Sequence, residues 1–291
     1  MKFRTINLIG LLLSEAIAPH RLQREPEPEV LMEKPDNVKA FHDQGNSSGY
    51  LLPVHHFNAV ASSKLLPYGG TLLDLGSGSG QYLMYLAMCR EDIRIIGLEL
   101  SSEMVSLGNA VIKKNGLDLR VKLIQGDMTD FHDQIDRGFD VISSIFSFHH
   151  LTNHNALRKC LFEIAALCHR FGCAVWTFDH VRPRLRRTAR IFPDIFTPDA
   201  PEFFRQDSMN SLIAAFSFSE LKESFDSNLK IPASHCCSKL MRLYQIHWSK
   251  GKKSGLLNNR KELTEDLLPP NAKKEYRSLR WLFSSDPLIS G

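Results

Sequence analysis

The chain has 291 residues, enough for one large domain or two small ones with a sizeable hydrophobic core. Hydrophobic residues form 43% and charged residues 23% of it, as in an ordinary soluble globular protein. Six cysteines without paired spacing do not indicate a disulfide scaffold, and the net charge of +4 does not by itself point to nucleic acid. A reduced, cytoplasmic protein is therefore expected.

Residues 1–35 predict a helix followed by a charged linker. The basic start and the apolar run at residues 6–13 imitate a secretory signal, but Glu15 interrupts the run and Pro19 would follow the cleavage point. An amphipathic helix is the favoured interpretation, and no other run approaches the length of about 18 apolar residues that a membrane span needs. Prolines and charges alternate over residues 24–29, which predicts a linker without regular packing.

The segment before the first strand predicts two helices with a break between them. Residues 38–44 favour a short helix, and residues 45–49, with two glycines, favour a flexible break. Residues 56–66 then predict a helix that leads into the first strand.

A short apolar strand followed by alternate glycines is the strongest local pattern in the chain. Residues 71–75 predict a buried strand and residues 81–89 a helix, so Gly76, Gly78 and Gly80 fall in the turn between them. Such a turn tolerates positive φ angles and lets a ligand approach the backbone. Because it ends at a helix N-terminus, it also attracts an anionic group. A nucleotide-like cofactor is the expected occupant.

Strands and helices alternate over residues 70–178, the pattern of a parallel sheet with helices on both faces. Strands are predicted near residues 95–100, 121–124, 140–145 and 173–178. Helices are predicted after the second strand, with apolar residues from 104 to 112 on one face, and over residues 155–168. In such folds ligands bind at the carboxyl ends of the strands, beside the first strand.

The order acid-x-Gly-x-Gly-x-Gly over residues 74–80 differs from the dinucleotide fingerprint, whose third glycine comes one residue later. It resembles motif I of the class I S-adenosylmethionine-dependent methyltransferases. Three further blocks follow at that family's spacing, over residues 95–104, 125–128 and 139–151. The resemblance implies a seven-stranded, mostly parallel α/β sheet of the Rossmann-like methyltransferase type, with S-adenosylmethionine as the cofactor. The three-cysteine cluster of radical S-adenosylmethionine enzymes is absent, which favours polar methyl transfer.

The resemblance also implies which residues hold the cofactor. Asp74 would lie near its ammonium group, Glu99 would accept hydrogen bonds from the ribose hydroxyls, and Asp127 would accept one from the adenine amino group. The full predicted set is Asp74, Gly76, Ser77, Gly78, Gly80, Glu99, Leu100, Asp127, Met128 and Ile145.

Methyl transfer from a sulfonium needs the acceptor held in line with the methyl carbon, and a base where the acceptor must lose a proton. His149 and His150 follow the fourth strand and are the candidate catalytic residues, although the same pair could merely orient its loop. Asp179 and His180, at the end of the fifth strand, are second candidates. No metal site is predicted, because residues 235–237 (His-Cys-Cys) lack regular ligand spacing.

The region after the fifth strand carries arginines at positions 182, 184, 186, 187 and 190, which could bind an anion but are more typical of a solvated helix face. Pro193, Pro198 and Pro201 predict an irregular insertion, and residues 202–216 a helix. Residues 240–248 alternate like a late antiparallel edge strand, and residues 271–283 predict a terminal helix.

These patterns predict three regions: an N-terminal helix and linker (residues 1–35), a methyltransferase domain (36–250) with a substrate cap at about 183–216, and a basic tail (251–291). The leading hypothesis is methylation of a small molecule at oxygen, nitrogen or sulfur, with the N-terminal segment and the cap over the pocket. The alternatives are an RNA or protein methyltransferase, a cofactor-binding protein without turnover and, more distantly, a nicotinamide dehydrogenase. The acceptor and the oligomeric state stay open.

Overall fold

A computed structural model describes residues 2–19, 22–28, 50–135, 137–240, 242–254 and 263–290. Within these residues seven strands form one sheet in the order β3-β2-β1-β4-β5-β7-β6. The first five strands are parallel, β7 runs antiparallel to β5, and β6 runs antiparallel to β7. The strands are β1 (Thr71–Leu75), β2 (Arg94–Glu99), β3 (Val121–Gln125), β4 (Val141–Ile145), β5 (Ala174–His180), β6 (Ser234–Cys237) and β7 (Tyr244–Ser249).

Helices connect and flank these strands. They are α1 (Lys2–Ile17), α2 (Leu52–Leu65), α3 (Gln81–Cys89), α4 (Ser102–Lys114), α5 (His154–Phe171), α6 (Arg186–Phe196), α7 (Glu202–Ala214), α8 (Phe218–Asn228), α9 (Pro270–Leu282) and α10 (Pro287–Ser290). Short 3-10 turns lie at His132–Gln134, Phe148–His150 and Glu265–Leu267. In the part of the chain that is described, no helix is long and apolar enough to cross a membrane.

The core lies on both faces of the sheet. Leu72 belongs to the apolar cluster on one face and its neighbour Leu73 to the cluster on the other. Successive side chains of a strand point to opposite faces, so a strand that is apolar at both positions must be covered twice. Helices α2, α3 and α9 contribute to the first cluster, and α5 and α8 to the second. The predicted α/β sheet with helices on both faces is therefore confirmed.

The predicted strands and helices between residues 71 and 180 agree with the structure to within a few residues. Helix α2 begins at Leu52 instead of residue 56, with Pro53 in its first turn, where a missing N–H costs nothing. The late antiparallel strand is shorter than predicted, and α8 was not predicted. The predicted helix at residues 38–44 and the break at 45–49 lie outside the described residues.

The irregular insertion predicted from three prolines is wrong at its start. Helix α6 runs through Pro193 to Phe196, and Pro198 and Pro201 border only the short link to α7. Proline inside a helix removes one hydrogen bond, so the helix needs support from outside. The start of α6 contacts α1, whose Glu15 accepts hydrogen bonds from the Leu185 N–H (3.3 Å), the Arg184 N–H and the Thr188 hydroxyl (2.5 Å).

Candidate functional site

The turn after β1 depends on its glycines. Gly76, Gly78 and Gly80 have φ angles of 70°, 54° and 76°, in the left-handed region that other residues avoid. A Cβ atom at Gly76 would lie 2.6 Å from the side chain of Ser147, whose hydroxyl donates to the Gly76 carbonyl oxygen (2.8 Å). A Cβ at Gly78 would meet no atom within 4 Å, because this residue borders open space. Gly80 instead caps α3 and packs against Leu123.

A cavity of about 580 Å³ lies at the carboxyl ends of β1, β2, β3 and β4. It brings together most of the predicted cofactor residues, and two predicted residues, Gly80 and His149, do not line it. The predicted residues that line it are Asp74, Gly76, Ser77, Gly78, Glu99, Leu100, Asp127, Met128, Ile145 and His150.

Asp74 lies at the floor of this cavity, where the side chain is almost fully buried. The Ser143 hydroxyl donates to Asp74 Oδ1 over 2.6 Å. Burial, helped by the negative charge of Glu99, raises the pKa of Asp74 to about 8 although the Ser143 hydrogen bond opposes the shift. A cation placed beside Asp74 would therefore favour the release of its proton.

Glu99 and Asp127 are held by backbone N–H groups. Glu99 Oε2 accepts from Gly78 N–H (2.8 Å) and Oε1 accepts from Ser101 N–H (3.0 Å). Asp127 Oδ1 accepts from Thr129 N–H (2.7 Å). Each carboxylate oxygen has more than one lone pair, so both groups can accept further hydrogen bonds from a ligand while their orientation is fixed.

Residues 22–28 form no helix or strand, but they pack across the site, which corrects the prediction of a linker without regular packing over residues 24–29. Arg24 donates to the carbonyl oxygens of Thr152 (2.8 Å) and His149 (3.0 Å) in the turn after β4, and to that of Ala214 (2.6 Å) at the end of α7. Its guanidinium also lies over the ring of Phe216, 4.1 Å from the ring centre. One arginine thus joins the N-terminal segment to both walls of the cavity.

The two candidate histidines have different surroundings. His150 Nδ1 lies 2.6 Å from Glu27 Oε2, and the Ser211 hydroxyl donates to Glu27 Oε1 (2.8 Å). Burial opposes the charged form of each partner, but their mutual attraction raises the pKa of His150 to about 9 and lowers that of Glu27 to about 2. His149 is buried, and its Nδ1 lies 2.6 Å from Asp179 Oδ1.

Helix α7 covers the cavity from the other side. Phe203, Gln206, Asp207 and Asn210 line it from this helix. Burial and the negative charge of Glu27 raise the pKa of Asp207 to about 6. Sequence reasoning missed both Asp207 and Glu27, since neither lies in a motif and both reach the cavity only through tertiary packing.

The residue after β4 has a strained backbone. Phe146 has a φ angle of 54°, lines the cavity and stacks on His180, with ring centres 4.5 Å apart. Burial lowers the pKa of His180 to about 3, so its ring is neutral near pH 7. His180 and Asp179, the second candidates from the sequence, therefore lie behind the cavity wall, where His180 supports Phe146 and Asp179 supports His149.

The arginine run is not a solvated helix face throughout, which corrects the interpretation from the sequence. Arg182 is buried and donates to the carbonyl oxygens of Leu22 and Ala215 and to Glu220, each over 2.8 Å. Arg184 donates to the Ala18 carbonyl oxygen (2.8 Å). Of the run, only the two last arginines, at positions 187 and 190, are exposed.

The contacts of His235 and Cys236 in β6 do not form a shared metal site. His235 Nδ1 lies 2.7 Å from His247 Nδ1, and His235 Nε2 lies 3.0 Å from Asp226 Oδ1. Cys236 Sγ instead lies 3.6 Å from the Ser285 hydroxyl. These contacts favour packing and hydrogen bonding for this strand.

Comparison with known proteins finds similar sequences over the central part of the chain. Residues 72–172 match the family model described as "Methyltransferase domain". A probable fatty acid methyltransferase of Mycobacterium tuberculosis is 36% identical over 115 residues, which are 40% of this chain and 24% of that protein. The matched region spans about a quarter of the length of this relative and of a carboxy-S-adenosyl-L-methionine synthase of Campylobacter jejuni.

Two solved structures share the fold over most of the chain. A S-adenosylmethionine-dependent methyltransferase from Aquifex aeolicus aligns with a TM-score of 0.52 at 18% identity and covers 74% of this chain and 97% of its own. The plantazolicin methyltransferase BamL, solved with a triazolic desmethylPZN analogue and SAH, aligns with a TM-score of 0.53 at 16% identity and covers 73% of this chain and 89% of its own. Residues 72–172 therefore match a methyltransferase domain, and the fold is that of solved S-adenosylmethionine-dependent methyltransferases, as the sequence predicted.

Proposed function

We propose that the whole chain is a S-adenosylmethionine-dependent methyltransferase that acts on a small-molecule acceptor. The observation that carries this proposal is one continuous cavity with fixed carboxylates at the strand ends and a cover formed by α7 and residues 22–28. Its volume of about 580 Å³ falls within the range of about 300–1,000 Å³ that is usual for small-ligand sites. A covered cavity of this size suits a cofactor and a compact acceptor better than a polymer.

The charges around the cavity suit a cationic cofactor. Among its described lining residues are five carboxylates and no lysine or arginine. In the proposed arrangement Asp74 faces the ammonium group, Glu99 accepts from the ribose hydroxyls, and Asp127 accepts from the adenine amino group beside Met128. The turn at Gly76 to Gly80 would hold the methionine part, with Gly78 leaving room for it.

The acceptor would lie between the cofactor and the cover. Phe146 and Phe203 line the cavity and favour an acceptor with apolar or aromatic parts, while His150, Asp207 and Asn210 supply polar contacts. The name of the mycobacterial relative mentions a fatty acid, which is compatible with an apolar acceptor. An RNA acceptor is less favoured, because Arg182 and Arg184 of the arginine run are used inside the fold.

Calorimetric titration with S-adenosylmethionine and S-adenosylhomocysteine tests the cofactor assignment. We expect binding with a Kd in the micromolar range. Glu99→Gln should lower the affinity for the cofactor about 10- to 100-fold, because a charged acceptor of two ribose hydrogen bonds is removed. Glu103→Gln is the matched control, since Glu103 is an exposed glutamate of α4 outside the cavity. A folded wild-type protein that binds neither compound would overturn the proposal.

Incubation with methyl-labelled S-adenosylmethionine and a fractionated cell extract tests the acceptor class. We expect label in the small-molecule fraction. Label confined to RNA or protein would instead support the macromolecular alternative, and RNA binding would then weaken steeply with salt. Tight cofactor binding without label in any fraction would support a binding protein without turnover.

A further inference from the structure

Two imidazoles and one carboxylate meet at the covered end of the cavity. Glu27, His149 and His150 each offer one ligand atom, and these atoms all lie within 4.8 Å of one another. Imidazole and carboxylate are the ligands that zinc and related divalent transition metals prefer, often as two histidines and one acid with positions left open. We propose that these three residues form a binding site for a divalent transition-metal ion of the zinc type.

His149 is oriented as a metal ligand would be. Its Nδ1 lies 2.6 Å from Asp179 Oδ1, and its backbone N–H donates to Asp179 Oδ2 (3.2 Å), so ring and backbone are fixed by one carboxylate. A carboxylate on one ring nitrogen is the usual support for a histidine whose other nitrogen binds a metal. That other nitrogen, Nε2, faces Glu27 Oε1 across 3.9 Å, a gap too long for a hydrogen bond.

The spacing of the ligands requires only small adjustments. Ligand atoms about 2.0–2.1 Å from a tetrahedral zinc ion lie roughly 3.3–3.4 Å apart. The distances from Glu27 to His149 (3.9 Å) and to His150 (2.6 Å) lie on either side of that value. The two distances involve different oxygens of Glu27, Oε1 toward His149 and Oε2 toward His150, so the carboxylate would have to reorient around the ion. The ion would replace the direct hydrogen bond to His150, and the proton held there would be released to solvent.

The site is enclosed on the protein side and open toward the cavity. The side chains of His149 and Glu27 are 3% and 6% exposed, whereas that of His150 is 35% exposed and lines the cavity. Asp207 also lines the cavity from α7, one turn before Ser211, and forms no hydrogen bond or ion pair with the described residues. A further carboxylate is therefore near the proposed ion.

The Arg24 side chain is engaged elsewhere. Its guanidinium, three residues before Glu27 in the same segment, donates to backbone carbonyl oxygens of the turn after β4 and of α7. Glu27 lies outside residues 72–172, the region that matches the family model. The site thus uses a residue outside the matched domain, and the inference does not depend on the proposed function.

Metal titration of tag-free, chelator-treated protein tests the inference. We expect one equivalent of Co²⁺ to bind with the visible absorption bands of a four- or five-coordinate nitrogen and oxygen site, and Zn²⁺ to displace it. Glu27→Gln should weaken Zn²⁺ binding at least 10-fold, as should His150→Gln. Glu25→Gln and His154→Gln are the matched controls, because these exposed residues of the same types lie outside the cluster.

Three results would overturn the inference: no bound equivalent in the wild-type protein, bands of six-coordinate aqueous cobalt only, or equal affinity in Glu27→Gln and Glu25→Gln. Circular dichroism of each variant separates lost ligands from lost folding, and the wild-type stoichiometry decides even if a variant does not fold. Calorimetric binding of S-adenosylmethionine is measured on the same samples. Cofactor binding without metal binding would remove the metal site alone and leave the proposed function intact.

Discussion

Asp74 links cofactor binding to proton release. Its pKa of about 8 in the free protein means that the carboxyl group is mostly protonated at pH 7, whereas a neighbouring ammonium group would favour the carboxylate. Binding of S-adenosylmethionine at pH 7 should therefore release close to one proton from Asp74, and the affinity should rise with pH up to about 8. Calorimetry in buffers of different ionisation enthalpy measures this release.

Asp74→Asn should abolish the proton release, because asparagine keeps an oxygen for the Ser143 hydroxyl but does not titrate. Asp118→Asn, an exposed substitution outside the cavity, should leave it unchanged. If the wild-type protein released no proton, or if Asp74→Asn released as many as the wild type, the carboxyl group would not face the cofactor's ammonium.

At the same scale, spacing along the chain predicted that some of the cavity-lining residues would lie together, and it could not predict others. Asp74 and Glu99 lie at the carboxyl ends of β1 and β2, and Asp127 follows β3. The carboxyl ends of neighbouring parallel strands must meet at one edge of a sheet. Glu27 and Asp207 come from a linker and a cap helix, whose positions depend on contacts far apart in the chain. No local sequence pattern predicts the contact between Glu27 and Ser211.

Among the elements, the turn from β1 to α3 needs glycine for two different reasons, a close packing contact at Gly76 and open space for a ligand at Gly78. In Gly76→Ala the new Cβ would lie 2.6 Å from Ser147, in addition to the strain of a positive φ angle. We expect a loss of about 2–4 kcal/mol in the free energy of unfolding from overpacking and strain together. Urea unfolding measures it.

Gly78→Ala should behave differently, because its Cβ would meet no protein atom within 4 Å but would enter the cavity. We expect a loss of only about 1–2 kcal/mol in stability from backbone strain, with a clear loss of affinity for S-adenosylmethionine. Equal losses of stability in the two variants, or unchanged cofactor affinity in Gly78→Ala, would contradict the assignment of Gly78 to the cofactor's approach.

Periodicity predicted the elements of the sheet region because their apolar faces pack on their nearest neighbours. It failed for α6, where Pro193 is an ordinary stop signal. The start of this helix is instead fixed by a distant residue, since Glu15, about 170 residues earlier, accepts hydrogen bonds from its first turn and the residues before it. In the sequence, Glu15 was only a reason to reject a secretory signal. Its hydrogen bonds to α6 join residues far apart in the chain, so only the structure shows them.

For the molecule as a whole, two arginines attach the N-terminal segment to the rest of the fold. Arg24 binds carbonyl oxygens on both walls of the cavity, and Arg182 binds Leu22, Ala215 and Glu220. Charge counting along the sequence could not distinguish such internal contacts from a surface patch. The net charge of +4 is therefore a weak guide to partners for this chain.

Buried histidines of α2 should limit the stability of the whole molecule in acid. Burial lowers the pKa of His55 to about 4. Burial also lowers the pKa of His56 to about 4; its Nδ1 lies 2.7 Å from the Tyr85 hydroxyl and its Nε2 has no hydrogen-bond partner among the described residues. In the unfolded chain both should titrate near 6.5. Neither carries a proton in either state well above pH 6.5, so their neutral forms cost no stability there.

As the pH falls from about 6.5 to 4, the unfolded chain takes up protons at both positions while the folded protein does not, so the free energy of unfolding falls. A shift of the size seen for His55 corresponds to about 3 kcal/mol, and His56 acts in the same direction. Urea unfolding between pH 7.5 and 4.5 measures the decline, which His55→Gln and His56→Gln should each reduce. His154→Gln, at an exposed position, should leave the decline unchanged. Part of the decline should remain in the double variant, because burial also lowers the pKa of His180. A stability that stayed flat over this interval, or a decline as steep in the double variant as in the wild type, would contradict the contribution of these two rings.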